Sequence, residues 1–250
     1  MNNNIKELFE LIKNSKNLNV LTGAGISTLS GIPDFRGPKG VYNAKQLDED
    51  VETILSIDYF NAHPDKFYKW ASEVWYKLEN YNPNIVHNTL ATLEKKGYLK
   101  NIFTQNIDSL HEKAGSKKVY NLHGSAKDSF CTSCGRHYSY EYVAPIVVSG
   151  KVPRCSSCNC VIKPDITLYG EALNPLVLNR ATECASHSDV FMVLGSSLVV
   201  QPAASLPLYA IQNGAKIVVV NSQPTYIDEY AYLKFNDLKN VFEKLNKFFN

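Results

Sequence analysis

Cys131-Thr-Ser-Cys134 and Cys155-Ser-Ser-Cys158 stand twenty residues apart, and this pattern restricts the fold of the chain more than any other feature. Two Cys-x-x-Cys pairs at that separation supply four thiolates to one tetrahedral zinc ion. The ion keeps no open position, so its role is structural. Cys160 is an alternative to Cys158 as a ligand, although the Cys-x-x-Cys geometry favours Cys158. Cys184 falls on a helical stretch and reads as a core residue. Metal is the expected use of these thiols because the first twenty residues contain no apolar run of signal-peptide or membrane length. Ile5, Leu8, Phe9, Leu11 and Ile12 recur there at helical spacing instead, which predicts an amphipathic helix and a cytoplasmic protein.

The rest of the chain alternates short β-rich runs with helical patterns. Leu18–Thr22, Asn101–Gln105, Val190–Gly195 and Lys216–Asn221 read as strands, each ending in small polar residues. Asp58–Glu79 reads as helix, broken or restarted near Pro64, and Val86–Lys96 as another. That alternation predicts an α/β fold with a Rossmann-like, doubly wound parallel sheet, whose ligand lies beyond the carboxyl ends of the strands. Two stretches break the rhythm. Residues 38–85 are rich in aromatic side chains without a convincing strand, and residues 126–164 carry five of the six Cys with little helical periodicity. They are expected to form a helical module and a zinc-binding module of a smaller domain. The discontinuous remainder, 1–37, 86–125 and 165–250, builds the sheet. With 26 Lys and Arg against 24 Asp and Glu, the formal charge is +2. This argues against nucleic-acid binding through bulk electrostatics. A monomer without membrane partners is expected.

The chemistry-bearing residues sit at the predicted strand ends. Thr22-Gly23-Ala24-Gly25-Ile26-Ser27-Thr28 is a glycine-rich turn that should open a helix, where bare backbone and free amides suit a pyrophosphate. The usual dinucleotide fingerprint wants a third glycine where Thr28 stands, and an acidic residue closing a second strand, which is missing. A hydride-transferring dehydrogenase is therefore disfavoured, and a tight turn without ligand is the plain alternative. In Gly31-Ile32-Pro33-Asp34-Phe35-Arg36-Gly37-Pro38, Arg36 is suited to a phosphate or ribose and Phe35 to covering an aromatic ring. Gln105-Asn106-Ile107-Asp108 offers amide and carboxylate partners to a carboxamide such as nicotinamide, or forms an Asx-capped turn. His123, in Leu122-His123-Gly124, is the proton-transfer candidate, because the following glycine permits close approach, with a purely structural histidine as the plain alternative. His63, His87, His111, His137 and His187 lack such a context and read as structural. Gly195-Ser196-Ser197 and Asn221 follow buried runs and read as ribose and phosphate contacts.

Taken in order, GAGIST, GIPDFRGP, TQNIDSLH, LHG, the two Cys pairs, KPDITLYGE, GSSLVVQPAA and VVVN resemble the bacterial type of the sirtuin family, NAD-dependent protein deacylases. The resemblance runs from about residue 18 to residue 240. It implies that Gly23, Ala24, Gly25, Thr28, Phe35 and Arg36 line the cofactor loop, and that Gln105, Ile107 and Asp108 hold the nicotinamide ribose and amide. Ser27 and Asn106 would close the nicotinamide pocket. Gly195, Ser196, Ser197 and Asn221, with Asp237 beside the adenine, would grip the adenosine half. Thr167, Leu168, Tyr169, Gly170 and Glu171, facing Leu198–Val200, would sandwich an extended acyl-lysine peptide through its main chain.

The implied reaction starts with attack of the acyl oxygen on the nicotinamide ribose carbon. His123 then acts as general base on the ribose hydroxyls, giving free lysine and O-acyl-ADP-ribose. No Arg occurs between Arg36 and Arg136, so the Tyr and Arg pair of family members that prefer acidic acyl groups is absent. Acetyl or another neutral acyl group is favoured. The alternatives are mono-ADP-ribosyl transfer or NAD hydrolysis on the same scaffold, and a non-catalytic zinc-knuckle binding module.

Overall fold

A computed structural model of the protein describes residues 3–34, 40 and 49–249. Its strands are β1 (Leu18–Thr22), β2 (Leu99–Thr104), β3 (Val119–Asn121), β4 (Gly124–Cys131), β5 (His137–Ser139), β6 (Ile162–Ile166), β7 (Val190–Leu194), β8 (Lys216–Val220) and β9 (Ala231–Phe235). Its helices are α1 (Asn3–Asn14), α2 (Val51–Ile54), α3 (Ile57–Ala62), α4 (Pro64–Val74), α5 (Ile85–Lys95), α6 (Leu110–Lys113), α7 (Tyr140–Val148), α8 (Pro175–Ser186), α9 (Leu206–Gln212) and α10 (Leu238–Phe249). Among them, no helix is long and apolar enough to cross a membrane.

Six strands form a parallel sheet in the order β3-β2-β1-β7-β8-β9. The order runs outward in both directions from β1 and β7. The crevice between their carboxyl ends is therefore the switch point of a doubly wound, Rossmann-like sheet. Strand alternation decides which side chains go where. Val20, Met192, Val218 and Val220 meet α1, α5 and α10 on one face. Leu21, Phe191, Val193 and Val219 meet α8 and α9 on the other. Both faces are covered, and for that reason these strands read as apolar runs rather than alternating ones.

Each of β2, β7 and β8 stops one residue short of the strand expected from the sequence. Gln105, Gly195 and Asn221 still donate their N–H groups to Thr22, Val220 and Phe235, and all three residues line the cavity beyond the strand ends. The amphipathic N-terminal helix is α1, with Ile5, Leu8 and Ile12 buried. The expected helix from Asp58 to Glu79 is two helices, α3 and α4, parted at His63 before Pro64, and a 3₁₀ turn at Leu78–Asn80. Proline at the first position of α4 explains the break, since it can start a helix but not continue one.

The glycine-rich turn opens a 3₁₀ helix, Ala24–Ser30, rather than an α-helix; Gly31 ends it in the left-handed region. Residues 126–164 hold more helix than their sequence suggested. α7 lies there, with Pro145 inside it, and its Val143, Ala144 and Val147 are buried. Beside the large sheet, β5-β4-β6 form a separate antiparallel sheet. A second core joins its Cys131, Tyr138 and Ile162 to Phe60, Phe67, Tyr68 and Trp75 of the helical segment. The two segments that interrupt the strand rhythm thus share one apolar cluster. The Tyr68 hydroxyl spans them by donating to the Ile162 carbonyl.

Candidate functional site

A cavity of about 340 Å³ opens where the strand order reverses, bounded by the carboxyl ends of the large sheet and by the small sheet with its helices. Its floor depends on glycine. A Cβ on Gly25 would lie 2.8 Å from the Gly195 carbonyl oxygen, and one on Gly195 would lie 2.5 Å from the Ile26 nitrogen. The turns after β1 and β7 therefore touch through bare backbone, joined by the Gly25 N–H donating to Gly195 at 2.8 Å. The same contact brings bare backbone to the start of the 3₁₀ helix, an arrangement of the kind that suits an anion.

On the β2 side a chain of hydrogen bonds fixes the polar wall. Asn106 Nδ2 donates to the Gly23 carbonyl at 3.2 Å and to Ser27 Oγ at 3.1 Å, and Ser27 Oγ donates to Asp108 Oδ2 at 2.6 Å. The other Asp108 oxygen accepts from the Leu110 N–H at 2.9 Å. Burial raises the Asp108 pKa, while the Ser27 bond opposes the rise. Ser196 Oγ donates to Gln105 Oε1 at 2.7 Å and so ties β7's tip to β2's.

His123 stands at the centre of this wall. Its Nδ1 lies 3.0 Å from the Gln105 carbonyl oxygen, which can only accept, so the ring carries its proton on Nδ1. Nε2 is then a free lone pair, buried and without a partner among the described residues. Burial lowers the His123 pKa, partly offset by the Gln105 bond, and the ring is neutral at pH 7. The following Gly124 is required by β6: a Cβ there would fall 2.1 Å from the Asp165 carbonyl oxygen. Through that contact the imidazole backbone is stitched to the loop after β6, where Thr167 N–H donates to the His123 carbonyl at 2.9 Å.

Most residues singled out from the sequence line this cavity: Ala24, Gly25, Ser27, Gln105, Asn106, Ile107, Asp108, His123, Thr167, Leu168, Tyr169, Gly170, Glu171, Gly195, Ser196, Ser197, Val200 and Asn221. Thr28 and Asp237 do not. They line an adjoining recess that shares Gly25, Asp34 and Asn221 with the main cavity. Gly23 sits behind the lining, its N–H on the Leu194 carbonyl. Phe35 and Arg36 lie outside the described residues. The histidines read as structural behave so where they are bonded: His87 accepts the Asn84 N–H in the cap of α5, and His111 meets Thr22 Oγ1 at 3.0 Å.

The four sulfurs of Cys131, Cys134, Cys155 and Cys158 lie within 4.8 Å of one another. A tetrahedral zinc with thiolates at about 2.3 Å needs its sulfurs about 3.8 Å apart, so the cluster fits that ion. The two knuckles are near copies. Cys131 and Cys155 each accept at their sulfur the N–H of the residue two places on, Ser133 at 3.5 Å and Ser157 at 3.4 Å. Each knuckle ends on a left-handed residue, Gly135 or Asn159. In this correspondence Cys160 matches Arg136, both offering a carbonyl to the first Cys N–H at 2.8 Å. The sequence left Cys158 and Cys160 open as ligands, and the geometry groups Cys158 with the other three.

Residues 23–202 match the model of the Sir2 family. The chain belongs to the Sir2 family. It is 45% identical over 232 residues to an NAD-dependent protein deacetylase of Thermotoga maritima, covering 93% of this chain and 92% of that one. An NAD-dependent protein deacylase 2 of Archaeoglobus fulgidus is 42% identical over 91% of this chain and 88% of its own. Among solved structures, a Sir2 variant with deacetylated p53 peptide and 3'-O-acetyl ADP ribose superposes with a TM-score of 0.90 at 42% identity, covering 97% and 96% of the two chains. A Sir2 complex with p53 peptide and NAD+ gives a TM-score of 0.87 at 42% identity over the same shares.

This Sir2-family cavity also has walls that sequence reasoning missed. Leu55, Val74 and Trp75 reach it from the helical segment, joined by Ile166 and Leu173. Nothing in their local spacing marks them, because they are ordinary apolar residues whose place depends on how that segment docks. Ser222 and Gln223 carried a signal, since they follow Asn221 at a strand tip as Ser196 follows Gly195.

Proposed function

We infer that this protein is an NAD-dependent protein lysine deacetylase. The acyl group passes from lysine to ADP-ribose, releasing nicotinamide and O-acetyl-ADP-ribose. The observation that carries the reading is the partnerless, buried Nε2 of His123 facing the glycine-floored cavity. NAD, consumed as a co-substrate, supplies the ribose carbon that accepts the acyl oxygen and nicotinamide as the leaving group.

In this reading the segments 1–37, 86–125 and 165–250 form the NAD-binding domain, and 38–85 with 126–164 the small domain. Gly23, Gly25 and the 3₁₀ helix hold phosphates, and Ser196, Ser197 and Asn221 the adenosine side, with Thr28 and Asp237 at its outer edge. Asn106, Ser27 and Asp108 receive the carboxamide, whose donor and acceptor both need partners once buried. His123 takes a proton at Nε2 from a ribose hydroxyl while its Nδ1–H stays on Gln105, the arrangement a neutral general base needs near pH 7. The segment from Thr167 to Glu171, opposite Val200, receives the peptide main chain, and a neutral acyl group suits the apolar wall of Leu55, Ile107 and Ile166. Phe35 and Arg36 complete the cofactor loop.

One zinc ion sits in the four-Cys cluster with a purely structural role, because four thiolates leave it no site for water. The protein is read as a cytoplasmic monomer with acylated-lysine proteins as substrates and no nucleic-acid partner. Mono-ADP-ribosyl transfer is not favoured, since the relatives above are named for deacetylation or deacylation. The test is mass spectrometry of an acetyl-lysine peptide incubated with and without NAD. Loss of the acetyl mass only with NAD, with one nicotinamide per lysine, is the expected result; loss without NAD overturns the reading.

A further inference from the structure

Lys163 is 3% exposed, and a buried ammonium is costly unless every donor is met. Here its Nζ lies 2.9 Å from Glu171 Oε2, 2.7 Å from the Ile166 carbonyl oxygen and 3.4 Å from that of Pro164. The Phe130 ring lies 5.5 Å beneath it. No step proposed above uses this charge.

What the charge does hold is the loop after β6. The Glu171 oxygen on Lys163 also accepts the Leu168 N–H at 2.8 Å, and the Glu171 N–H returns to the Leu168 carbonyl at 3.0 Å. The turn from Leu168 to Glu171 is thereby closed on itself and fastened to a buried cation. Its outer side is fastened separately. Tyr169 donates to Leu55 at 2.8 Å and accepts from Ile57 at 2.9 Å, a short parallel bridge to the helical segment. Between these anchors Gly170, at φ 91°, presents an N–H and a carbonyl that take no partner among the described residues. The main-chain groups of a peptide lying along this loop would meet the turn that Lys163 and Glu171 align.

We propose that Lys163 and Glu171 are positioning residues for the acylated peptide. They set the main-chain alignment of the turn from Leu168 to Glu171, and the Glu171 carboxylate serves the turn rather than the peptide. This deepens the deacetylase reading and rests on it. A buried ammonium that keeps its partly exposed partner differs from one left alone, so the single and double replacements separate alignment from mere folding.

The experiment is steady-state deacetylation by the full chain, varying acetyl-lysine peptide at saturating NAD and NAD at saturating peptide, with melting temperatures on the same preparations. Lys163→Met and Glu171→Ala should raise the peptide KM about tenfold, the scale of one misaligned main-chain hydrogen bond, leaving the NAD KM within about twofold. Glu171→Gln keeps an oxygen for the same donors and should raise it less. The double variant Lys163→Met/Glu171→Gln leaves no orphan charge; it should recover melting temperature while its peptide KM stays high. A double variant that recovers both, or single variants with unchanged peptide KM, overturns the proposal. Wild type run alongside tells the readings apart: no NAD-dependent turnover in it faults the deacetylase reading, whereas normal wild-type turnover with unaltered variants faults this one.

Discussion

The large sheet and the small sheet meet the same requirement, a dry interior, by different means. The large sheet buries Val20, Leu21, Phe191, Val193, Val218 and Val219 between helices on both faces, so its core closes without any other device. The small sheet has three strands, and its core is a single cluster shared with α3, α4 and α7. Much of that cluster is aromatic: Phe60, Phe67, Trp70 and Trp75 make edge-on contacts at ring-centroid distances of 4.9 to 5.7 Å. At one end the apolar packing gives way to the four Cys side chains. Small segments cannot bury enough surface to order themselves, and a four-Cys cluster of a size that fits zinc offers the means to make up the difference. The difference teaches where this molecule can be taken apart.

The largest expected effect follows from that. Removing the metal with a strong chelator, or replacing Cys131 by Ala, should release one zinc per chain and disorder the small sheet while the parallel sheet keeps its structure. Deacetylation should vanish, because Thr167 to Glu171 and the carbonyl of His123 are tied to β6. Metal analysis and limited proteolysis between residues 126 and 164 read the result. A Cys131→Ala protein that is stable and fully active breaks the comparison.

Next in size is a change that leaves both regions folded. His123→Ala should lower deacetylation by about two to four orders of magnitude, the range for losing a general base. NAD affinity and melting temperature should stay close to wild type, since the turns after β1 and β7 close through Gly25 and Gly195 without the ring. If turnover is nearly normal, Nε2 has no role in the reaction. A fall in stability and NAD affinity together would make His123 part of the scaffold instead.

The same contrast explains what could be read from the sequence. The four inner strands β1, β2, β7 and β8 were legible because burial on both faces gives continuous apolar runs, and their loops because small polar residues follow each run; the half-exposed edge strands β3 and β9 carry no such run. The Cys pairs declared their spacing, and knuckle geometry then separated Cys158 from Cys160. By contrast, α7 was missed. Its Pro145 and its mostly apolar run from Tyr140 to Val148 obscure any amphipathic period, and it is held by tertiary packing on α4 rather than by its own pattern. Leu55, Val74 and Trp75 were missed as cavity walls for the same reason: how the helical segment docks is not written in its local sequence.

A smaller effect should come from Gly25→Ala, which probes the seam of the large sheet without touching the small one. The added Cβ would need the Gly195 backbone to shift from 2.8 Å to ordinary contact, parting the tips of β1 and β7. NAD affinity should fall about ten- to a hundredfold, as a displacement of bound groups by a fraction of an ångström implies, while zinc content stays unchanged. Isothermal titration with NAD reads it; wild-type affinity would mean that the cradle is not set by this contact.

The smallest effect concerns a polar seam inside the large lobe. The rings of His87 and His111 lie edge to face at 4.9 Å, both essentially unexposed, with His87 Nε2 and His111 Nδ1 partnerless among the described residues. Burial lowers the pKa of His87 to about 4, and burial together with the His87 charge lowers that of His111 to about 3. The unfolded chain takes up these protons near 6.5, so their contribution to stability is complete above that pH and is lost as pH falls from 6.5 toward 4. Depressed carboxylates lose their contribution only as pH falls below their unfolded values, 3.8 for Asp189 and 4.5 for Glu49 and Glu141, and Asp108, raised by burial, acts in the opposite sense. Comparison with a variant cancels both. In urea titrations between pH 6.5 and 4, His111→Gln should show a shallower loss of stability than wild type, by up to about 1.4 kcal/mol per pH unit for one proton. Equal slopes would mean that His111 is protonated in the folded protein, and that the interior of the large lobe is less dry than its apolar faces suggest.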